Sequence, residues 1–297
     1  MEKKYASLNL FDFQQQFPDD DSCYEYLASR KWNDGFRCER CGNGNYCKGK
    51  LKHTRQCTKC RYQASPTSNT LFHKVKFPIL KAFYIVYFMS TNKKGISSTE
   101  LSRKLSLGQK TCWGFKRKVM KAMASSGLHP LEGMVEVDEM VVGGQEEEVR
   151  GRKNKRKKLV VLAIERKSKG ISRMYAKVIP NAGSESFRPF FEKHIDPAAH
   201  IKTDEWAGYR PLMKDFPFLH QTPSGKKGDN FPDMHRAIMM FKAWLRGIHH
   251  SVRDLQAYLD EYTYRFNRNW MKAGIFDNLI NKMVLAKPIL ANEICIY

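Results

Sequence analysis

The order of apolar and polar positions divides the chain into a helical first part and a later part in which strands dominate. Acidic residues at 19–21 precede Tyr24, Leu27 and Ala28 at helical spacing, so a short helix is expected over 23–32. Pro78 opens residues 79–91, an apolar and aromatic run with almost no polar face, which predicts a helix packed on a partner. Ser97 and Glu100 stand as a capping box, with Ile96 and Leu101 placed as a hydrophobic staple, and predict a helix to Leu105. Ser106, Leu107 and Gly108 then make a turn before a basic helix over 109–124. Two readings stay open for this pair: a helix-turn-helix whose Lys110, Lys116, Arg117 and Lys118 face DNA, or an ordinary helical hairpin.

Residues 127–133, with His129 and Pro130, read as a linker. Beyond it, β-branched runs at 134–142, 158–165 and 171–179 predict three consecutive antiparallel strands, the last two joined by 166–170. Residues 184–195 are amphipathic, with Phe187, Phe190 and Phe191 on one face, and 200–204 reads as a fourth strand. Three strands, a helix, a strand and further helices is the order of a ribonuclease H-like domain, an α/β fold with a mixed sheet. A helix is expected over 232–246. The spacing of Leu255, Leu259, Tyr262 and Phe266 gives a last helix packed on the sheet, leaving Arg253, Arg265 and Arg268 available for DNA. The expected organisation is an N-terminal helix and ribbon (1–72), a helix-turn-helix segment (73–128), a catalytic domain (129–270) and a C-terminal tail (271–297).

Composition narrows the function. A chain of 297 residues with 42% apolar and 12% aromatic content is too hydrophobic to be disordered or collagen-like. Its longest apolar runs fall far short of the roughly 20 residues that a bilayer crossing needs, so no membrane association is expected. The first residues show no signal-peptide pattern, so the expected compartment is the cytoplasm, at the nucleoid. The net charge of +22 favours a polyanionic partner, and nucleic acid is the first candidate. Basic residues concentrate at Arg150, Arg152, Lys153, Lys155, Arg156, Lys157 and Lys158, too charged to be buried: a loop lying against phosphates, or a solvated one.

Four of the eight cysteines form two C-x2-C knuckles, Cys38 with Cys41 and Cys57 with Cys60, separated by 15 residues. That spacing lets two hairpins bring four thiolates around one zinc ion. The basic segment 46–55 suits the β-hairpin of a zinc ribbon, and four thiolates leave no open position, so the zinc would be structural. Cys47 and His53 complete no second pair and read as bystanders, while Cys23, Cys112 and Cys295 read as small core residues.

In a ribonuclease H-like domain the first strand would carry Asp138 and the end of the fourth would carry Asp204, side by side. Each aspartate alone is more often a turn or cap residue, but both stand in strand contexts that Asp normally avoids. Convergent carboxylates in a basic protein suit divalent cations, and two ions roughly 4 Å apart serve phosphodiester cleavage.

Three groups of residues carry a family resemblance. They are the run from Glu136 through Asp138 to Gly143 with the basic segment after it, and Lys202-Thr-Asp204-Glu-Trp-Ala-Gly-Tyr209. The third is the helix from Met234 to Gly247, followed by Tyr258 to Asn267. Together they resemble the DDE-type transposases of small bacterial insertion sequences, in the group with an N-terminal zinc ribbon. The resemblance implies a ribonuclease H-like core, Mg²⁺- or Mn²⁺-dependent strand cleavage at element ends, and transfer of the freed 3′-hydroxyl into target DNA. It also implies that at least a homodimer assembles on DNA. The family's third catalytic position, which varies, falls best on His235, with Lys242 seven residues on. Seven residues return to within about 20° of the start, so both would project from one helix face. Imidazole is a poor Mg²⁺ ligand, so His235 would orient water or the scissile phosphate. Asp233 is the carboxylate alternative, and a helix-start histidine without a role is a third possibility. Two other functions remain open: a zinc-ribbon DNA-binding regulator whose second domain only dimerises, and a ribonuclease H-like nuclease without strand transfer.

Overall fold

The computed structural model describes residues 8–143, 157–168, 170–248 and 254–289. The chain divides into two compact units, Met1–Met123 with Met271–Tyr297, and Ala124–Trp270. Among the described residues no helix is long and apolar enough to cross a membrane.

In the first unit, α1 (Leu10–Gln16) is capped by Asn9, and α2 (Asp20–Lys31) begins at a capping box in which Asp19 accepts the Ser22 N–H at 2.8 Å. A small antiparallel sheet follows, β1 (Tyr46–Lys48), β2 (Arg55–Cys57) and β3 (Gln63–Ala64). The predicted apolar helix is α3 (Ile79–Thr91). Next come α4 (Ser98–Leu105), where the Glu100 N–H donates to Ser97 Oγ at 3.1 Å, and α5 (Gln109–Met123). The turn between them opens on Ser106, held in the left-handed region at φ 50°. A partner for α3 comes from the far end of the chain. The segment expected as a C-terminal tail forms the helix Gly274–Leu285, whose Phe276 meets the rings of Phe13, Phe17 and Phe83 at 5.6, 5.7 and 6.0 Å. Its buried positions, Phe276, Leu279, Ile280, Met283 and Val284, keep helical spacing.

The second unit is built on a five-stranded sheet. Its strands are β4 (Met134–Val142), β5 (Lys158–Lys167) and β6 (Gly170–Ile179), then, after α6 (Ser184–His194), β7 (His200–Thr203) and β8 (Leu219–Gln221). The order is β6-β5-β4-β7-β8, with β4, β5 and β6 antiparallel and with β7 parallel to β4 and β8 parallel to β7. This mixed sheet is the ribonuclease H-like arrangement. Only β8 is not foreshadowed by the apolar pattern, being too short to show a period. The helices α7 (Pro232–Arg246) and α8 (Leu255–Asn267) complete the unit.

Burial follows from strand position. Val160 to Ile164 of β5 are buried without alternation, as expected of a strand covered on both faces. One face packs Val135, Val137, Val161, Ala163 and Ile201 against Phe187, Phe190 and Phe191 of α6. The exposed edge of β6 is closed by two side-chain amides of α8 that mimic a neighbouring strand. Asn267 accepts the Met174 N–H at 2.8 Å and donates to the Met174 carbonyl at 2.9 Å, while Gln256 accepts the Val178 N–H at 2.9 Å and donates to the Ala176 carbonyl at 3.2 Å.

At the end of α6, His194 is 5% exposed, stacks on Tyr175 at 4.5 Å, and has an Nδ1 without a hydrogen-bond partner among the described residues. Burial, reinforced by Lys193 and Lys177, brings its pKa down from 6.5 to about 4, so it folds neutral. A depressed histidine pKa contributes stability that is full above the unfolded value and lost as pH falls through the folded one. The second unit is therefore expected to lose up to about 3 kcal/mol between pH 6.5 and 4. Urea unfolding across that range, with His194→Phe flattening the dependence, checks this.

Candidate functional site

Four cysteines of the first unit meet at one point. Cys38 and Cys41 lie on the turn before β1, Cys57 ends β2, and Cys60 lies on the following turn. Their sulfurs all lie within 4.8 Å of one another, with Cys38 to Cys60 at 3.5 Å and Cys41 to Cys57 at 3.6 Å. A tetrahedron with metal–sulfur bonds of about 2.3 Å has edges of about 3.8 Å, so the group fits a zinc ion. The Cys60 backbone N–H points at Cys57, and with further donors from Asn43 and Lys59 it brings that thiol down to about 6, toward the thiolate that metals bind. The expected bystanders stay apart: Cys47 is exposed, and His53 Nε2 lies 2.8 Å from Asp21 Oδ1. Cys23 and Cys112 are buried, as expected, while Cys295 lies outside the described residues.

In the second unit the parallel register of β4 and β7 pairs Met134 with His200, Val135 with Ile201 and Glu136 with Lys202. Two residues beyond the last pair, along each chain, stand Asp138, still on β4, and Asp204, just after the end of β7. Each holds its carboxylate by a local bond, Asp138 Oδ1 accepting the Glu139 N–H at 2.8 Å and Asp204 Oδ1 accepting the Trp206 N–H at 3.1 Å. Gln221 of β8 fixes the loop after Asp204, donating to the carbonyls of Asp204 and Trp206 at 2.9 Å each.

Beneath them lies Tyr209, fully buried, its ring stacked on Phe187 at 4.5 Å and its hydroxyl donating to Glu139 Oε2 at 2.6 Å. Burial pushes this phenol well above its ordinary pKa. The charge of Glu139, and after it those of Asp138 and Asp204, act in the same direction. Three carboxylates thus act on one buried hydroxyl. Tyr209 and Glu139 stand within the motifs that carry the family resemblance, yet nothing in residue type alone assigned them to this support.

On α7, Pro232 occupies the first turn, where its fixed φ suits helix entry. His235 is exposed and its ring lies against Gly228, where φ is +79° and an added Cβ would fall 2.0 Å from His235 Nε2. Lys242, two turns on, is half-buried, and burial lowers its pKa, with Arg246 adding to the effect. Asp233, the carboxylate alternative, is engaged by Arg166 Nε at 3.0 Å and Arg236 Nη2 at 2.6 Å. Among the described residues the cysteines are the only metal-ligand group of three or more, so neither His235 nor Asp233 forms a three-ligand group with Asp138 and Asp204.

The basic residues expected on α5 divide. Lys110 is exposed in its first turn, and Arg117 lies over the Trp113 ring at 5.9 Å. Lys116, by contrast, is only 2% exposed and donates to the Ile96 carbonyl at 2.7 Å, a structural tie rather than a surface for DNA. Lys118 is half-buried and donates to the His73 carbonyl at 3.2 Å. In the basic segment, Lys157 and Lys158 are half-buried at the start of β5, whereas Arg150, Arg152, Lys153, Lys155 and Arg156 lie outside the described residues.

Comparison with known proteins agrees with this division. Residues 130–267 match the ISXO2-like transposase domain family, and residues 18–63 match the transposase zinc-ribbon domain family. No curated protein matches. Among solved structures, a pre-cleavage Mos1 transpososome matches 67% of this chain and 76% of that chain at 11% identity, with a TM-score of 0.28, a likeness too low to say more about this one. The chain thus joins a segment matched to the transposase zinc-ribbon family to a segment, holding the mixed five-stranded sheet, matched to the ISXO2-like transposase domain family.

Proposed function

We propose that this transposase binds the ends of its element, cleaves DNA strands there with a divalent metal, and joins the freed 3′-hydroxyl to target DNA. The observation that supports the reading is the parallel register of β4 and β7, which leads to Asp138 on β4 and to Asp204 just after β7, in a protein with a net charge of +22. Unscreened carboxylates facing DNA would repel it, and cations held between them remove that conflict. Asp138 and Asp204 would hold Mg²⁺ or Mn²⁺, which when bound lowers the barrier to phosphodiester cleavage by activating the attacking oxygen and stabilising the leaving one.

The remaining roles belong to the chain's own groups. Tyr209 holds Glu139, the neighbour of Asp138, and Gln221 holds the loop after Asp204. His235, held against Gly228, orients water or the scissile phosphate, and Lys242 grips a phosphate oxygen from two turns along the same helix. The four cysteines hold one structural zinc, and the pair α4 and α5 reads DNA as a helix-turn-helix through Lys110 and Arg117. Cleavage at two element ends requires at least two copies of the chain on DNA.

Three outcomes test this. Replacing Asp138 or Asp204 by Asn keeps size but removes the charge that holds a cation. Metal-dependent nicking of a plasmid carrying the matching ends should then fall by at least about 1,000-fold, while DNA binding survives. Joining of the cut end to a second plasmid is scored separately. Cleavage without joining would make the protein a nuclease, and sequence-specific binding without cleavage would make it a regulator. Cys57→Ser should release about one equivalent of zinc, measured by elemental analysis, and unfold the ribbon while the far-ultraviolet signal of the sheet persists. Affinity for duplex DNA should fall steeply with salt, and neutralising the basic residues between Arg150 and Lys158 should flatten the slope by about 0.9 for each phosphate that the protein no longer neutralises.

A further inference from the structure

Two of the elements that bring the proposed catalytic residues together, β4 with Asp138 and α7 with His235 and Lys242, are bridged by one side chain from a third. Arg166 of β5 places Nη1 3.1 Å from Glu136 Oε1 and Nε 3.0 Å from Asp233 Oδ2. Glu136 stands two residues before Asp138 on the same face of β4, and Asp233 lies in the first turn of α7. We infer that Arg166 is a positioning residue, whose guanidinium fixes the start of α7, and through it His235 and Lys242, against the strand that carries Asp138. The inference rests on the proposed cleavage site.

Several independent features support it. The carboxylate of Glu136 is only 3% exposed, and its Oε2 has no hydrogen-bond partner among the described residues. An apolar side chain would fill the place of Glu136 at lower cost, so a buried carboxylate there, reached by a guanidinium that is itself 39% exposed, points to a requirement of geometry rather than of stability. A planar guanidinium serves that requirement better than an ammonium, because it can meet two carboxylates at fixed angles. The β5–β6 ladder also shifts register between Glu165 and Arg166, the kind of irregularity that re-aims side chains beside active sites. On the other flank of β4, Lys202 of β7 repeats the device. Its Nζ donates to the Asn230 carbonyl at 2.6 Å and sits 4.5 Å from the centre of the Phe231 ring, just before α7. Asp233 divides its two oxygens between Arg166 and Arg236, which makes it an anchor of the helix rather than a free ligand.

The test measures single-turnover cleavage of pre-bound element ends by full-length wild type, Arg166→Lys, Asp233→Asn, the double variant, Asp233→Glu and Asp138→Asn. Arg166→Lys and Asp233→Asn should each slow cleavage about 10- to 100-fold, the range expected when a reacting group is displaced by about 1 Å. The DNA concentration giving half-saturation and the melting temperature should stay at wild-type values. The double variant should be no slower than the slower single one, because both changes break one bridge. Asp233→Glu, which keeps the charge, should recover part of the rate. Wild-type rates in Arg166→Lys and Asp233→Asn, or single effects that multiply in the double variant, would overturn the inference while leaving the site intact, provided that Asp138→Asn is inactive. Should Arg166→Lys fail to fold, the contrast between Asp233→Asn and Asp233→Glu decides alone. Cleavage by Asp138→Asn, or none by wild type, would overturn the proposed site and the inference with it.

Discussion

The parallel pairing of β4 with β7 is the constraint on which the catalytic unit depends. Parallel strands cannot be joined by a tight turn, so the chain must first run through β5, β6 and α6 before β7 can lie beside β4. That excursion builds the core, because α6 crosses the sheet and buries three phenylalanines against it. The pairing ends at Glu136 and Lys202, and the aspartates stand just beyond, where the strands begin to part. A slip of one residue would turn one aspartate to the opposite face.

The carboxylates of this region are held by neighbours that do not neutralise them. Tyr209, stacked on the ring of Phe187, donates to Glu139 next to Asp138. Backbone N–H groups hold Asp138 and Asp204, and the amide of Gln221 holds the loop after Asp204. On the face toward α7, basic side chains from β5 and β7 flank Glu136 and hold the start of that helix. Packing, hydrogen bonding and charge therefore all converge on the same few residues of β4.

Much of this was legible in the sequence, for identifiable reasons. The two cysteine knuckles have one sensible geometry, and they adopt it. The N-cap at Ser97, one half of the expected capping box, and the β-branched runs of β4, β5 and β6 report local preferences that tertiary packing did not override. What was not legible depended on distant partners. The helix Gly274–Leu285 has helical spacing, but only its packing on α1, α2 and α3 shows that it is core rather than tail. Lys116 looks like any surface lysine until the Ile96 carbonyl is seen above it. Asp233 and His235 stand two residues apart as candidates for one role, and nothing local announces that Arg166, from a distant strand, engages Asp233.

Because function here is reduced to where two side chains meet, the most direct measurement is the position of a bound cation. Crystals of the full chain equilibrated with Mn²⁺ and recorded at a wavelength that reveals its anomalous scattering would locate it. The account predicts a peak between Asp138 and Asp204, about 2.1 Å from an oxygen of each and absent in Asp138→Asn. A cation bound elsewhere on the sheet, or a peak that survives the loss of Asp138, would contradict it.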